Sequence, residues 1–388
     1  MNVALVYDRI NSWGGAERVL LSLHKLYPDA PLFTAVYQPE SSAWASVFRV
    51  RPSFLNRIPF ARSNHEWFAW ATPLAFEQFD FSGFDLVISI TSAEAKSVAT
   101  KPGTVHICYM LTPTRYLWSH YHEYFRNPLV KGLTLPFVSY LREVDQIAAN
   151  RPDAYIAISD HVAKRIRKYY RRESEVVYPP AGFTEPLICV EPKTPPPDGF
   201  FLIVSRLVHY KKIDFAINVF NKMNIPLVII GKGRDENRLR SIAGRTVYFR
   251  SNLTDNELCW YYRQCRSVIL PQEEDFGLVS VEAQQFGKPV IVYDKSGARE
   301  TVIDKTTGFY FSEYTHDALA DALEKTEKNR WNEQVIKHNG ARFSEEKFQA
   351  SWKKAVQRIQ DTVRRVSLMK TNHIVFERRQ TPDGVYRY

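Results

Sequence analysis

The chain has 388 residues, 45% hydrophobic, 24% charged and 14% aromatic. That is the make-up of a globular protein large enough for two or three domains, and it excludes disorder as the main state. Its 52 lysines and arginines against 42 acids leave a net charge of +10, which favours an anionic partner without naming it, and no apolar run approaches the roughly 18 residues that span a bilayer.

Val3-Ala-Leu-Val-Tyr7 is a short apolar run that leads into Gly14-Gly15 and then the helical spacing of Val19, Leu20, Leu23 and Leu26. This predicts a strand, a glycine loop and a helix. The N-terminus lacks the basic region, long apolar core and cleavage site of a signal peptide, so the run reads as a first strand. Buried-strand runs recur at 86–90, 105–109, 154–158 and 176–178 with helix-compatible stretches between several of them, which predicts a parallel sheet with helices on both faces. Residues 39–84, dense in Trp, Phe, Pro and Arg, have poor periodicity and read as an insertion.

Glu191-Pro-Lys-Thr-Pro-Pro-Pro197 can continue neither a helix nor a central strand and reads as a stiff linker. Beyond it, strands are predicted at 200–204, 226–230, 247–249, 268–270 and 289–292, and helices near 214–221, 236–243, 255–265, 278–287 and 316–328. Two Rossmann-like halves are the simplest account: residues 1–182, a linker over 183–199, and residues 200–344. From Glu345 to Val366, the spacing of Phe348, Trp352, Ala355, Val356, Ile359 and Val363 predicts a helix with one apolar face. The tail 367–388 is polar and basic without a pattern. Cys108, Cys189, Cys259 and Cys265 form no C-x-x-C pair and no zinc spacing, so they read as free thiols in a reducing compartment.

In open α/β sheets ligands collect beyond the carboxyl ends of strands, so the loops there are the candidates. Gly14-Gly15 either lets a phosphate or sugar approach the helix that follows or simply turns tightly. The first strand of the second half runs into Ser205-Arg206-Leu-Val-His-Tyr-Lys211. Those cations suit a diphosphate, arginine gripping oxygens bidentately and lysine adding a mobile charge. Gly231-Lys-Gly233 follows the next strand, but Arg234, Asp235 and Glu236 break the G-x-G-x-x-G pattern, which weighs against a dehydrogenase. In Pro271-Gln-Glu273-Glu274-Asp275-Phe276-Gly277-Leu278-Val279-Ser-Val-Glu282 a strand ends, an acidic glycine loop follows and a helix begins. Glu274 in the loop and Glu282 in the helix suit vicinal hydroxyls of a sugar, and Gly277 with the amides after it offers an anion site. Glu273 and Asp275 read as acids that favour the helix dipole.

This segment resembles the Glu-x7-Glu signature of the retaining, nucleotide-sugar-dependent glycosyltransferases of family 4. The likeness covers most of the chain: Gly14-Gly15-Ala-Glu-Arg-Val resembles the family's first glycine loop, Arg206 to Lys211 its R-x4-K pair, and Ser296-Gly297-Ala-Arg-Glu300-Thr-Val its G-G-x-x-E-T-V. The resemblance implies the GT-B fold, an α/β architecture of two Rossmann-like domains facing each other across a cleft, with the C-terminal helix crossing back to the first. It implies that Arg206 and Lys211 bind the donor diphosphate, Glu282 the ribose hydroxyls, Glu274 the transferred sugar, and Gly15 the phosphate from the opposite domain. Ser205, Gly231, Gly233 and backbone groups around Phe276, Gly277, Leu278 and Val279 complete the donor site. Glu274, Arg206 and Lys211 are the expected catalytic groups.

The implied reaction moves a sugar from an NDP-sugar to a hydroxyl of a lipid-linked or polysaccharide acceptor in bacterial surface glycan synthesis. GDP-mannose is the first candidate donor and a UDP-glucose or UDP-GlcNAc type the alternative. No Asp-x-Asp is present, so no metal and no cofactor beyond the donor are expected. Leu111 stands where the family has a histidine before Thr-Pro, and since leucine donates no hydrogen bond, a catalytically weakened sugar-nucleotide-binding scaffold is a further alternative. His106, His120 and His122 lie near in sequence but read as structural. The run Lys164, Arg165, Arg167, Lys168, Arg171 and Arg172, with two tyrosines and no acid, reads either as a solvated helix face or as a dock on an anionic membrane surface; no nucleic-acid module accompanies it. The expected location is cytoplasmic, with a peripheral place at the inner face of the cytoplasmic membrane as the other option.

Overall fold

The structure, a computed structural model, describes residues 1–62, 65–119, 121, 128–183 and 187–379. The strands of the first half are β1 (Val3–Tyr7), β2 (Leu32–Thr34), β3 (Val50–Pro52), β4 (Leu86–Thr91), β5 (Val105–Met110), β6 (Ala154–Ala157) and β7 (Ser174–Val176). They form one parallel sheet in the order β3-β2-β1-β4-β5-β6-β7. In the second half β8 (Phe201–Val204), β9 (Leu227–Ile230), β10 (Val247–Arg250), β11 (Val268–Leu270), β12 (Val290–Tyr293) and β13 (Gly308–Phe311) form a second parallel sheet, ordered β10-β9-β8-β11-β12-β13.

The reason for continuous apolar strands is visible in where alternate residues go. Val3, Leu5 and Tyr7 enter one core, while Ala4 and Val6 enter another with Phe33, Phe76 and Phe81. In the second half Phe201 and Ile203 face one core and Leu202 the other, with Val228 and Leu270. Both faces of each sheet are therefore dry, which a strand with one polar face would not allow.

The helices that matter below are α1 (Gly15–Leu26), α2 (Thr72–Glu77), α3 (Pro128–Ala148), α4 (Asp160–Tyr170), α5 (Ile213–Met223), α6 (Glu236–Ile242), α7 (Asp255–Gln264), α8 (Leu278–Gln285), α9 (His316–Lys328), α10 (Glu333–Gly340) and α11 (Glu345–Arg379). α11 begins beyond the second sheet and returns to the first. Phe348, Trp352, Ala355, Val356 and Ile359 join the core of β1 and β5, Trp352 donates to the Tyr27 hydroxyl at 3.2 Å, and Lys25 pairs with Glu345 at 2.7 Å.

Some expectations change. β2, β3 and β13 add to the expected strands; β3, Val-Arg-Pro, carries an arginine and a proline in place of an apolar run. The stretch 39–84 holds β3, short 3-10 turns and α2; β3 ends in Pro52, which lacks a ladder donor and suits the sheet edge it occupies. α11 runs on into the tail to Arg379, and residues 380–388 lie outside the described ones. The reading of four free thiols is corrected: Cys189 and Cys259 form a disulfide with Cα atoms 5.1 Å apart. The linker folds back on α7, Val190 N–H donating to the Asn256 carbonyl at 3.0 Å, and this proximity leaves no trace at a separation of 70 residues. Cys108 and Cys265 are free and buried, and burial pushes both thiols up to about 12.

Candidate active site

Both sheets reverse their strand order once, between β1 and β4 in the first and between β8 and β11 in the second. The crevice beyond such a reversal is where open α/β sheets bind ligands. The loops that leave β1, β8 and β11, with the helices they enter, carry Gly15, Arg206 with Lys211, and Glu274 with Glu282. The structure brings these loops together across a seam. A Cβ added to Gly15, at the start of α1, would lie 2.1 Å from Leu278 Cδ1.

In the second half, Lys211 Nζ donates to Glu274 Oε1 at 2.6 Å, and the Gln272 side chain donates to the same oxygen. The Glu274 backbone N–H donates to Ser296 Oγ at 2.9 Å, so the serine at the expected glycine position anchors the acidic loop. Gly297 must be bare: a Cβ there would lie 2.2 Å from the Asp275 carbonyl oxygen. Glu282 is 5% exposed; one carboxylate oxygen accepts from the Tyr262 hydroxyl at 2.6 Å and the other from Arg18 of α1 at 2.6 Å. Arg206 donates to the Tyr210 hydroxyl at 2.9 Å. Its charge reaches Glu17 in the first half, whose carboxyl is raised by burial and lowered by the Tyr7 hydroxyl and by Arg206. Glu282 thus meets the first half directly and Arg206 lies near it, while Lys211 bonds within the second half.

Gly231 and Gly233 have another reason. A Cβ on Gly231 would meet the Ser205 carbonyl oxygen at 1.9 Å, and one on Gly233 the Leu207 carbonyl oxygen at 2.0 Å. The loops after β8 and β9 press backbone to backbone, Leu207 N–H donating to the Lys232 carbonyl at 2.8 Å. These glycines shape the cationic loop. Phe276 is buried and stacks on Tyr178 with ring centroids 5.6 Å apart. Gly277, at φ 90°, precedes α8, which opens with Leu278 and Val279.

Glu273 and Asp275 do not serve the helix dipole. Asp275 accepts from Arg115 and Arg165 of the first half, and Glu273 accepts from Arg165 at 2.5 Å and pairs with His161 at 3.1 Å. Burial alone would raise the Asp275 carboxyl, and the charges of the two arginines overcome it and hold it at about 2. Glu300 accepts from the backbone N–H groups of Asp160 and His161, each at 2.8 Å, at the start of α4. These contacts dispose of one reading of the basic run as a single outward face. Arg165 is buried in the seam and Arg172 donates to the Pro152 carbonyl at 2.8 Å, while Lys164, Lys168, Arg171 and Arg167, the last paired with Glu173 at 2.5 Å, are exposed.

Leu111 packs on the core that also holds Phe276. His106 is buried against Ser89 Oγ at 2.8 Å and burial, then Arg151 and Arg172, push its imidazole down to about 3; His120 lies outside the described residues, as does His122. Sequence reasoning missed Arg18, Arg115 and Tyr262. Arg18 stands within the Gly14-Gly15-Ala-Glu-Arg-Val motif and Arg115 just beyond Leu111-Thr-Pro, but nothing in one sequence marks them as partners of distant acids.

Residues 190–343 match the family described as glycosyl transferases group 1. This stretch of the chain belongs to that family. The chain is 27% identical over 161 residues to the O-antigen chain mannosyltransferase C of Escherichia coli, covering 39% of this chain and 43% of that one. It is 30% identical over 163 residues to the capsular polysaccharide biosynthesis glycosyltransferase CapM of Staphylococcus aureus, with 39% and 43% covered. The matched stretch thus spans about half the length, or less, of those curated relatives. Among solved structures, that of Anabaena HepE in complex with UDP superposes with a TM-score of 0.64 at 17% identity, covering 92% of this chain and all of that one. The fold is GT-B, two parallel-sheet domains with the last helix returning to the first.

Proposed function

We propose that the chain is a retaining glycosyltransferase that takes a sugar from a nucleotide diphosphate donor, with GDP-mannose as the donor, and moves it to a hydroxyl of a lipid-linked or polysaccharide acceptor in bacterial surface glycan synthesis. The observation that carries this reading is the convergence of Arg206, Lys211, Glu274 and Glu282 at the paired strand-order reversals. Arg206, exposed to solvent, and Lys211, buried, supply charge for a departing diphosphate, and with two cations there the reaction needs no divalent metal. Glu274, held by Lys211, Gln272 and Ser296, presents a carboxylate to sugar hydroxyls, and Glu282 presents one to a ribose. The mannose assignment draws on the Glu-Glu-Asp-Phe-Gly and Ala-Arg-Glu-Thr-Val context and on the E. coli mannosyltransferase relative.

A uridine donor is the second reading, favoured by the likeness to a protein solved with UDP. A thermal-shift panel of GDP, UDP and ADP separates them, because a ligand that binds only the native state raises its melting temperature. GDP giving the largest rise supports the first reading, UDP the second, and no rise with any nucleotide removes the donor site.

A further inference from the structure

From Ser41 to His65 the first domain carries Arg49, Arg51, Arg57 and Arg62 and no acid, and all four arginines are exposed. The same segment and its continuation leave large apolar side chains in water: Phe60 is 76% exposed, Trp67 77%, Trp70 52% and Leu74 55%. α3 lies against this segment, Ala69 and Pro73 meeting Leu141 and Val144 around a small cavity. Val138, Leu141 and Ala148 turn inward, whereas Phe137, Tyr140 and Ile147 are exposed on the other side of the helix. Among the described residues α3 therefore has one covered apolar face and one exposed face that carries Phe137, Tyr140 and Ile147 beside Glu143. Large apolar side chains left exposed on two elements that pack against each other mark a candidate interaction surface.

We infer that this aromatic and arginine-rich face of the first domain docks on an anionic lipid bilayer. Trp and Tyr prefer the depth at which acyl chains meet headgroups, and arginines are drawn to anionic headgroups. Among the described residues no helix is long and apolar enough to cross a membrane, so the face lies on the bilayer. A second copy of the chain fits worse, since pairing two such faces sets arginines against arginines. The run 164–172 also fits worse, because among the described residues its exposed cations have no fully exposed aromatic beside them: Tyr170 is buried, and half-buried Tyr169 stacks on Trp118. Docking places the proposed transferase where a lipid-linked acceptor is held, yet it stands on surface chemistry alone, so vesicle binding and nucleotide binding succeed or fail separately.

The test is sedimentation of the full chain with vesicles of phosphatidylcholine alone and of phosphatidylcholine with phosphatidylglycerol. The protein should partition onto the anionic vesicles and less as salt rises. Trp67→Ala with Trp70→Ala should lower the partition coefficient roughly tenfold, and Arg57→Glu with Arg62→Glu by at least that, at a factor of roughly five for each positive charge removed. Melting curves check that the variants fold, and the arginine pair, being exposed, keeps the test open if the tryptophan pair does not. The inference is overturned by no binding to either vesicle, by variants that bind like the parent, or by loss of binding only in Lys164→Glu with Lys168→Glu. A concentration-dependent dimer abolished by the tryptophan substitutions would overturn it too.

Discussion

Arg18 of the first domain donates to Glu282 of the second at 2.6 Å, and the remaining carboxylate oxygen of Glu282 is held by the Tyr262 hydroxyl at 2.6 Å. Both oxygens that would meet a ribose are thus already in use. A ligand that takes Glu282 must displace Arg18, and its apparent affinity is lowered by the fraction of molecules in which the pair is closed. Arg18→Gln should therefore tighten nucleotide diphosphate binding, by roughly three- to tenfold in a calorimetric titration. Weaker binding in this variant would mean that Arg18 holds the nucleotide instead of excluding it.

Asp275 sits between Arg115 and Arg165, and Asp275→Asn leaves two arginines facing each other without their anion in a buried seam. The expected loss at neutral pH is about 3 kcal/mol, read from thermal or urea melts. The pH dependence has a definite sign. The folded-state carboxyl titrates at about 2, below an unfolded aspartate at roughly 3.9. Its stabilisation is therefore present above about pH 4 and lost as pH falls through 2. The gap between parent and variant should narrow between those values, and a gap independent of pH would contradict the assignment.

Glu94, which accepts from the Tyr116 hydroxyl at 2.7 Å, runs the other way. Burial first, and the charge of Asp8 second, push its carboxyl up to about 7. Its contribution is fully present below an unfolded value near 4.5 and is lost as pH rises through 7. Glu94→Gln, neutral throughout, should match the parent in stability near pH 4.5 and exceed it at pH 8 by on the order of 1–2 kcal/mol. Parallel stability curves for the two proteins would refute this.

Gly233→Ala tests whether the glycines after β9 are needed for backbone approach. The added Cβ meets the Leu207 carbonyl oxygen at 2.0 Å, which only a shift of the cationic loop relieves. A loss of about 2 kcal/mol together with weaker nucleotide binding is expected. Unchanged stability would show that the two loops part easily.

What the sequence disclosed follows from which forces are local. The first strand, Val3–Tyr7, was legible because a strand buried on both faces is apolar throughout, and α9 matched its expected bounds because its apolar positions follow the helical period. The Glu274 and Glu282 spacing was legible because one strand, loop and helix carry both. Arg18 with Glu282, the arginines on Asp275 and the Cys189–Cys259 bond were not, since each joins segments that only the folded chain brings together. The opposite error arose at Lys164–Arg172, where a charge run without acids suggested one exposed face while Arg165 turns inward to an acid more than a hundred residues away.

The account depends most on loops from the two domains jointly holding a nucleotide diphosphate. Calorimetric titration of GDP and UDP into the parent, Arg206→Ala and Glu282→Ala tests it directly, with melting curves showing that each variant is folded. The parent should bind one of the nucleotides and each substitution should weaken that binding by roughly ten- to a hundredfold. Equal affinity in all three folded proteins would place the nucleotide elsewhere and contradict the account.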